Sequence, residues 1–130
     1  FALVFSSDTF AYCFGILFGK NNKGIVKVSP NKSVAGFIAA LLCPAIIGSL
    51  CGVFIKDFAV DGVLGFFLGL CTAAAAAIGD LVESVLKRSA KMKDSGNIIP
   101  GRGGMLDSID SLVFAAPVFM AFMHFMQFVP

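Results

Sequence analysis

The chain has 130 residues, of which 58% are hydrophobic, 15 are Phe and none is Trp, and its mean hydropathy is +0.91. Soluble proteins average about 45–50% apolar residues, so this composition indicates a membrane protein rather than a soluble domain. The net charge is only +2, and basic residues are not interleaved with aromatic ones, which argues against binding of nucleic acid. Because the sequence opens on Phe1 inside an apolar run, we expect it to be part of a longer protein.

Four apolar runs approach the roughly 20 residues that a helix needs to cross about 30 Å of hydrocarbon. The first run has neither the charged start nor the cleavage site of a signal peptide, so we predict a membrane span there as well. The predicted fold class is an all-α integral membrane protein, a polytopic bundle with catalytic loops on the cytoplasmic side. Its four spans are placed near residues 1–19, 33–55, 60–85 and 112–129.

The basic residues are concentrated in two of the three connections between these runs. Two spans separate the first and third connections, so both emerge on the same side, which the positive-inside rule assigns to the cytoplasm. An alternative for Lys20, Lys23 and Lys27 is that they serve only orientation and contact with anionic lipid. Nine of the ten basic residues lie in the two connections, namely Lys20, Lys23, Lys27 and Lys32 in the first and Lys87, Arg88, Lys91, Lys93 and Arg102 in the third.

Small residues and prolines in the runs bear on how the helices pack. Gly-x-x-x-Gly pairs let helix backbones approach closely in lipid and predict a tight bundle. Pro44 and Pro117 each remove a backbone donor, which is tolerated inside a span only if a neighbour or water satisfies the freed carbonyl. The pairs are Gly15 with Gly19, Gly48 with Gly52, and Gly65 with Gly69.

Acidic residues inside the apolar runs are the first candidates for chemistry, because a charge at the centre of a span is unfavourable by roughly 3 kcal/mol. Asp80, Ser84 and Lys87 follow one another at four and then three residues, so they share one helical face, and Glu83 lies next to it. Asp80 either forms a salt bridge with a basic residue such as Lys87, or binds a cation such as Mg²⁺ together with phosphate oxygens. Asp8, in the first run, is the third acidic residue inside an apolar run, after Asp80 and Glu83.

The stretch PGRGGMLDSID, residues 100–110, precedes the last apolar run. Its glycines allow sharp turns and expose backbone amides that suit a phosphate, and Arg102 adds a positive charge. Asp107 and Asp110, three residues apart at the start of a helix, project onto one face, where a cation could be held near the helix N-terminus. An N-cap Asp107 with Asp110 in the first turn would explain the pair without any chemistry.

The segment SVLKRSAKMKDSGNIIPGRGGMLDSID, residues 84–110, resembles the signature of the phosphatidate cytidylyltransferases, also called CDP-diacylglycerol synthases. SDTFAYCFGILFGK and SPNKSVAG, near the start, are similar to two further segments of that family, so the resemblance covers nearly the whole chain. Three positions depart from the family pattern: Arg102 replaces His, Ser108 replaces Arg and Ala35 replaces Glu. Arg102 and Ser108 together keep the number of cations, which suggests that one change compensates the other.

The resemblance implies that residues 1–130 are the C-terminal, membrane-embedded catalytic part of an enzyme that transfers CMP from CTP to phosphatidate and releases pyrophosphate. It implies Mg²⁺, with a second cation left open, a multi-pass location in a bacterial inner membrane, and an active site that faces the cytoplasm. Assembly as a homodimer stays open. The implied metal ligands are Asp80, Asp107 and Asp110; Lys87 and Arg88 join them as catalytic residues, and the substrate-binding residues are Asp8, Ser29, Lys32, Lys93, Asp94, Arg102, Gly103 and Gly104.

Other functions would account for part of the pattern. An ion-coupled transporter would also bury Asp8 and Asp80, but it does not need the Lys-Arg-Gly-Asp loop. A CTP-dependent lipid kinase of the polyprenol type shares a nucleotide donor and a membrane acceptor, and it differs in releasing CDP instead of pyrophosphate. A purely structural membrane subunit is the third alternative, and the signature argues against it.

Overall fold

Four helices make up the described part of the chain. The computed structural model describes residues 1–18, 33–55, 60–92 and 106–126, with the backbone alone for residues 106–108. Within these ranges there are helices and no strand, which confirms the predicted all-α bundle. The helices are α1 (Ala2–Phe18), α2 (Val34–Phe54), α3 (Gly62–Ser89) and α4 (Leu106–Met126).

Three of these helices contain a stretch that is long and apolar enough to cross a membrane. The stretches are Val34–Phe54, Gly62–Ser89 and Ile109–Met126, whereas α1 is a shorter apolar helix. Two helices continue beyond the apolar runs of the sequence, since α3 extends to Ser89 and α4 begins at Leu106. The additional turns carry charged residues, which lower hydropathy but do not interrupt a helix.

Neighbouring helices are antiparallel, and α1, α2, α3 and α4 pack mainly in chain order. Gly48 of α2 meets Gly65 of α3. Gly52, one turn later in α2, meets Asp61, the residue before α3. On the other side of α3, Gly79 meets Asp110 of α4. This order brings the end of α1, the start of α2, the end of α3 and the start of α4 to one end of the bundle, which we call the loop end. The two basic connections of the sequence leave from it.

The closest helix crossing, between α2 and α3, is lined by glycine. A Cβ atom at Gly48 would overlap the carbonyl oxygen of Gly65, and a Cβ atom at Gly69 would overlap that of Pro44. Only hydrogen atoms fit between the two backbones at these positions. The two Gly-x-x-x-Gly pairs of these helices therefore form the tight contact that the sequence predicts.

Pro44 lies inside a continuous α2. A proline leaves the carbonyl four residues earlier, here Ala40, without its usual backbone donor. The buried hydroxyl of Ser7 on α1 donates a hydrogen bond to that oxygen at 2.9 Å. A neighbouring helix thus satisfies the freed carbonyl, which is the condition that the sequence sets for a proline inside a span.

Large apolar side chains cover much of the outer surface, as expected of a bundle surrounded by lipid. Phe54 is 77% exposed and Met120 68% exposed, whereas small residues such as Ala73 and Ala115 are almost fully buried. In the absence of a hydrophobic driving force between helices in lipid, small residues inside and large ones outside are the expected distribution.

Candidate functional site

Three carboxylates from two helices meet near the loop end of the bundle. Asp80 and Glu83 lie three residues apart on α3, and Asp110 comes from the second turn of α4. One oxygen from each lies within 4.8 Å of the other two. We call these three residues the carboxylate cluster. Glu83 is 5% and Asp110 9% exposed, and Asp80 is half-buried, so most of the cluster is enclosed between the two helices.

Close packing of α3 on α4 makes this meeting possible. Gly79 immediately precedes Asp80, and a Cβ atom there would lie only 2.9 Å from the backbone oxygen of Asp110 and 3.0 Å from Phe114 Cδ2. Glycine at this position allows the start of α4 to approach the inner face of α3. The distance between the carboxylates of Asp80 and Asp110 therefore depends on a residue without a side chain.

The carboxylate of Asp110 is held by its neighbour Ser111. The backbone N–H of Ser111 donates to Asp110 Oδ1 with an N···O distance of 2.6 Å, and the Ser111 hydroxyl donates to the same oxygen at 3.1 Å. Both residues are buried. A carboxylate that accepts two hydrogen bonds on one oxygen has a fixed orientation.

A cation of the same helix is attached to the cluster. Lys87 Nζ lies 3.0 Å from Glu83 Oε2, one turn away, with the Glu83 side chain 6% exposed and that of Lys87 21% exposed. Lys87, which the sequence offered as a salt-bridge partner of Asp80, thus pairs with Glu83. Lys87 lies between the cluster and the loop end, where a positive charge would meet a phosphate first.

A cavity of about 610 Å³ opens beside the cluster, between α1, α2, α3 and α4. This volume lies in the range of small-molecule sites, about 300–1,000 Å³. Asp80 and Ser111 contribute its wall on one side, and Asp8, Tyr12 and Ser33 on the other. Ser33 is also the N-cap of α2, since its Oγ accepts a hydrogen bond from the N–H of Gly36 at 3.1 Å. The cavity thus has charged and hydroxyl groups on opposite walls.

Several residues predicted from the sequence can be placed, and others cannot. Asp8 and Asp80 line the cavity from opposite sides, Asp110 and Lys87 belong to or contact the cluster, and Arg88 is exposed in the last turn of α3. Asp107 lies in the first turn of α4, but its side chain is not described. The remaining predicted residues lie outside the described ranges: Ser29, Lys32, Lys93, Asp94, Arg102, Gly103 and Gly104.

Glu83 was one of the three acidic candidates in the sequence but was not among the predicted metal ligands, and no role was predicted for Ser111. The spacing of Asp80 and Glu83 could have indicated Glu83, because residues three apart on a helix lie on the same face. Ser111 gave no signal in the sequence, since a serine after an aspartate is common and its hydrogen bonds depend on side-chain orientation.

The donor set of the cluster suits a hard divalent cation. Mg²⁺ holds oxygens at about 2.1 Å in an octahedron, so adjacent ligand oxygens lie about 3 Å apart and opposite ones about 4.2 Å apart. The oxygens of Asp80, Glu83 and Asp110 lie within 4.8 Å of one another, so the three side chains would close on the ion by rotating toward it. These residues therefore fit a magnesium ion.

The chain belongs to the cytidylyltransferase family, whose model matches residues 1–126. This match covers all four helices and the segment with the signature, so the resemblance seen in the sequence is confirmed.

The curated relatives are bacterial. The chain is 42% identical over 118 residues to the phosphatidate cytidylyltransferase of Staphylococcus saprophyticus, which is 91% of this chain and 45% of that protein. The enzymes of the same name from Staphylococcus haemolyticus and Staphylococcus aureus are 42% and 41% identical over the same shares. The chain thus spans a little under half the length of these relatives.

Proposed function

We propose that the protein containing this chain transfers the CMP moiety of CTP to phosphatidate, giving CDP-diacylglycerol and pyrophosphate. One observation carries the proposal: the carboxylate cluster and Lys87 lie beside a cavity of about 610 Å³ at the loop end of an apolar bundle. A nucleotide reaches such a site from water, and a lipid reaches it from the bilayer. The names of the relatives support these substrates, and the family supports this class of reaction.

The reaction needs alignment and neutralisation of charge more than a strong base. A phosphate oxygen of phosphatidate attacks the α-phosphorus of CTP, the bond from that phosphorus to the bridging oxygen breaks, and pyrophosphate leaves with the electron pair. The nucleophile is already an anion at neutral pH, so no proton has to be removed. Holding two polyanions together in a site of low polarity is the main difficulty, and fixed cations and dipoles meet it.

In this proposal Lys87 and Arg88 bind the phosphates at the loop end, where departing pyrophosphate returns to water. The residues predicted to assist them from the connections are Ser29, Lys32, Lys93, Asp94, Arg102, Gly103 and Gly104. Asp80, Asp110 and Asp107 would hold Mg²⁺, and we add Glu83 to this set because of its position in the cluster. When bound, Mg²⁺ would supply positive charge that neutralises the phosphates. Asp8 contributes to the opposite wall of the cavity.

The location follows from the same arrangement. We propose that the loop end faces the cytoplasm of a bacterial inner membrane, because both basic connections leave from it and CTP is cytosolic. Neither the transporter nor the lipid kinase of the polyprenol type is favoured. Among the described residues of the cavity wall, none distinguishes the kinase from the transferase, so the product analysis below also measures CDP.

Product analysis of isolated membranes tests the proposal. We would supply Mg²⁺, phosphatidate and CTP labelled at the α-phosphorus to membranes that contain the protein, and measure label in the lipid phase together with free pyrophosphate. We expect lipid labelling that requires Mg²⁺ and that falls at least 100-fold in Asp80→Asn and Asp107→Asn, since each loses a proposed metal ligand.

A matched control comes from the same helix. Asp61 precedes the first turn of α3 at the end opposite the cluster, is exposed and makes no capping hydrogen bond with its side chain. Asp61→Asn should therefore keep normal turnover. CDP in place of pyrophosphate would indicate the lipid kinase, and near-normal rates in Asp80→Asn would show that the cluster is not the metal site.

A further inference from the structure

Ser111 uses its hydroxyl differently from other hydroxyls in these helices. Ser6 donates to the backbone oxygen of Leu3 at 2.8 Å, Thr9 to that of Phe5 at 2.8 Å, and Thr72 to that of Leu68 at 2.7 Å. These are local contacts that any helical Ser or Thr can make. The Ser111 hydroxyl instead donates to the carboxylate of Asp110 at 3.1 Å.

The second hydrogen bond adds to one that the backbone already makes. The backbone nitrogen of Ser111 lies 2.6 Å from the same Oδ1 atom, so that oxygen keeps one hydrogen bond when the hydroxyl is removed. A hydroxyl that donates to an anion makes a stronger, charge-assisted bond than one that donates to a carbonyl. Two donors on Oδ1 fix the rotation of the carboxylate.

The position of Ser111 connects this bond to the site. Ser111 lines the same cavity as Asp80, and Asp110 belongs to the carboxylate cluster. Partners that hold a metal-binding carboxylate by hydrogen bonds typically change metal affinity 10- to 100-fold when they are removed.

We propose that Ser111 is a positioning residue, which fixes the carboxylate of Asp110 through Oδ1 so that Oδ2 is presented to a divalent cation. The inference rests on the proposed function, because it requires the cluster to bind a cation. It assigns to the Ser111 hydroxyl a role in metal affinity that is separate from the stability of the bundle. Because the backbone N–H of residue 111 remains in any variant, we expect removal of the hydroxyl to weaken metal binding by about 10-fold, the lower end of the 10- to 100-fold range.

Binding of Mn²⁺ tests this without turnover. The metal-free protein, purified in detergent, is titrated with Mn²⁺, and the free ion is followed by electron paramagnetic resonance. We expect Ser111→Ala to bind Mn²⁺ about 10-fold more weakly than the wild type. Ser111→Thr, which keeps the hydroxyl, should remain within about threefold of the wild type.

Ser7→Ala is the matched control. Ser7 lines the same cavity, is 4% exposed and donates to the carbonyl of Ala40 instead of a carboxylate. Its loss should lower the melting temperature and leave Mn²⁺ affinity unchanged. If Ser111→Ala is too unstable for titration, Ser111→Cys replaces it, because a thiol is a similar size but a weak donor.

The outcomes separate the inference from the proposed function. Wild-type affinity in Ser111→Ala, or an equal loss of affinity in Ser7→Ala or Ser111→Thr, would overturn the role of Ser111. A strong loss of Mn²⁺ binding in Asp110→Asn alongside wild-type binding in Ser111→Ala would refute the inference alone. Unchanged binding in both Asp80→Asn and Asp110→Asn would refute the metal centre itself.

Discussion

Replacing Gly79 by alanine should reduce turnover by displacing one helix from another. The added Cβ atom would lie 2.9 Å from the backbone oxygen of Asp110, and 3.0 Å and 3.1 Å from Cδ2 and Cβ of Phe114. Non-bonded carbon atoms are most favourable at about 3.5–4.0 Å, so the start of α4 has to retreat by about 0.5 Å. A backbone oxygen cannot rotate out of the way as a flexible side chain could.

That displacement acts directly on the carboxylate cluster, because Gly79 adjoins Asp80 and the oxygen it meets belongs to Asp110. Catalytic groups have to be held within about 0.5 Å of their working positions, and a misplacement of 1 Å can reduce a rate about 100-fold. We therefore expect Gly79→Ala to lower kcat about 10-fold. Overpacking destabilises by about 1–3 kcal/mol, and the better helix propensity of alanine offsets about 1 kcal/mol of this.

The assay is the same lipid-labelling reaction at saturating CTP and Mg²⁺, with the amount of folded protein measured by thermal unfolding in detergent. Gly52→Ala is the control: its Cβ atom would lie 2.8 Å from the backbone oxygens of Val60 and Asp61, at the end of the bundle away from the cluster. Gly52 lies about 24 Å further along α2 than Gly36 on the cavity wall. We expect Gly52→Ala to lose stability and keep its turnover per folded molecule. Turnover within twofold of the wild type in Gly79→Ala, or an equal loss in Gly52→Ala, would refute the reasoning.

Three further predictions concern the site, the helix crossing and the signature. Glu83→Gln removes one of three clustered carboxylates, so the Mg²⁺ concentration for half-maximal turnover should rise roughly 10-fold; an unchanged Mg²⁺ titration would exclude Glu83 as a ligand. Gly48→Ala should lower the free energy of unfolding by about 1–3 kcal/mol, because its Cβ atom overlaps the carbonyl oxygen of Gly65. In Gly15→Ala the nearest atom to the new Cβ would be Ser33 Oγ at 3.4 Å, so this variant should be neutral or stabilised by up to about 1 kcal/mol. Equal shifts in melting temperature for Gly48→Ala and Gly15→Ala would contradict this difference. The double variant Arg102→His, Ser108→Arg restores the family pattern and should retain or raise the lipid-labelling rate, whereas a loss would show that the two departures do not compensate.

The order of the elements could be predicted from the sequence, and so could three residues that lie in or beside the carboxylate cluster. Long apolar runs have to become helices in a bilayer, because a helix satisfies every backbone donor and acceptor within one segment. The glycine pairs of α2 and α3 predicted their close contact, since the effect of a missing side chain depends little on the rest of the fold. Asp80, Asp110 and Lys87 could be singled out because a charge in or beside an apolar run is unfavourable unless it has a function or a partner, and the signature indicated the family.

Only the tertiary structure decided how these residues combine. Asp110 joins Asp80 and Glu83 because α4 packs on that face of α3, and α4 can approach only because residue 79 is glycine. The hydroxyl of Ser7 satisfies the carbonyl that Pro44 leaves without a donor, across two helices and 33 residues of chain. Hydropathy and spacing describe one helix at a time, whereas the distance between two carboxylates, or between a hydroxyl and a carbonyl, is set by how closely separate helices pack. The sequence by itself therefore determined the helices and the candidate ligands, and packing decided which of them meet.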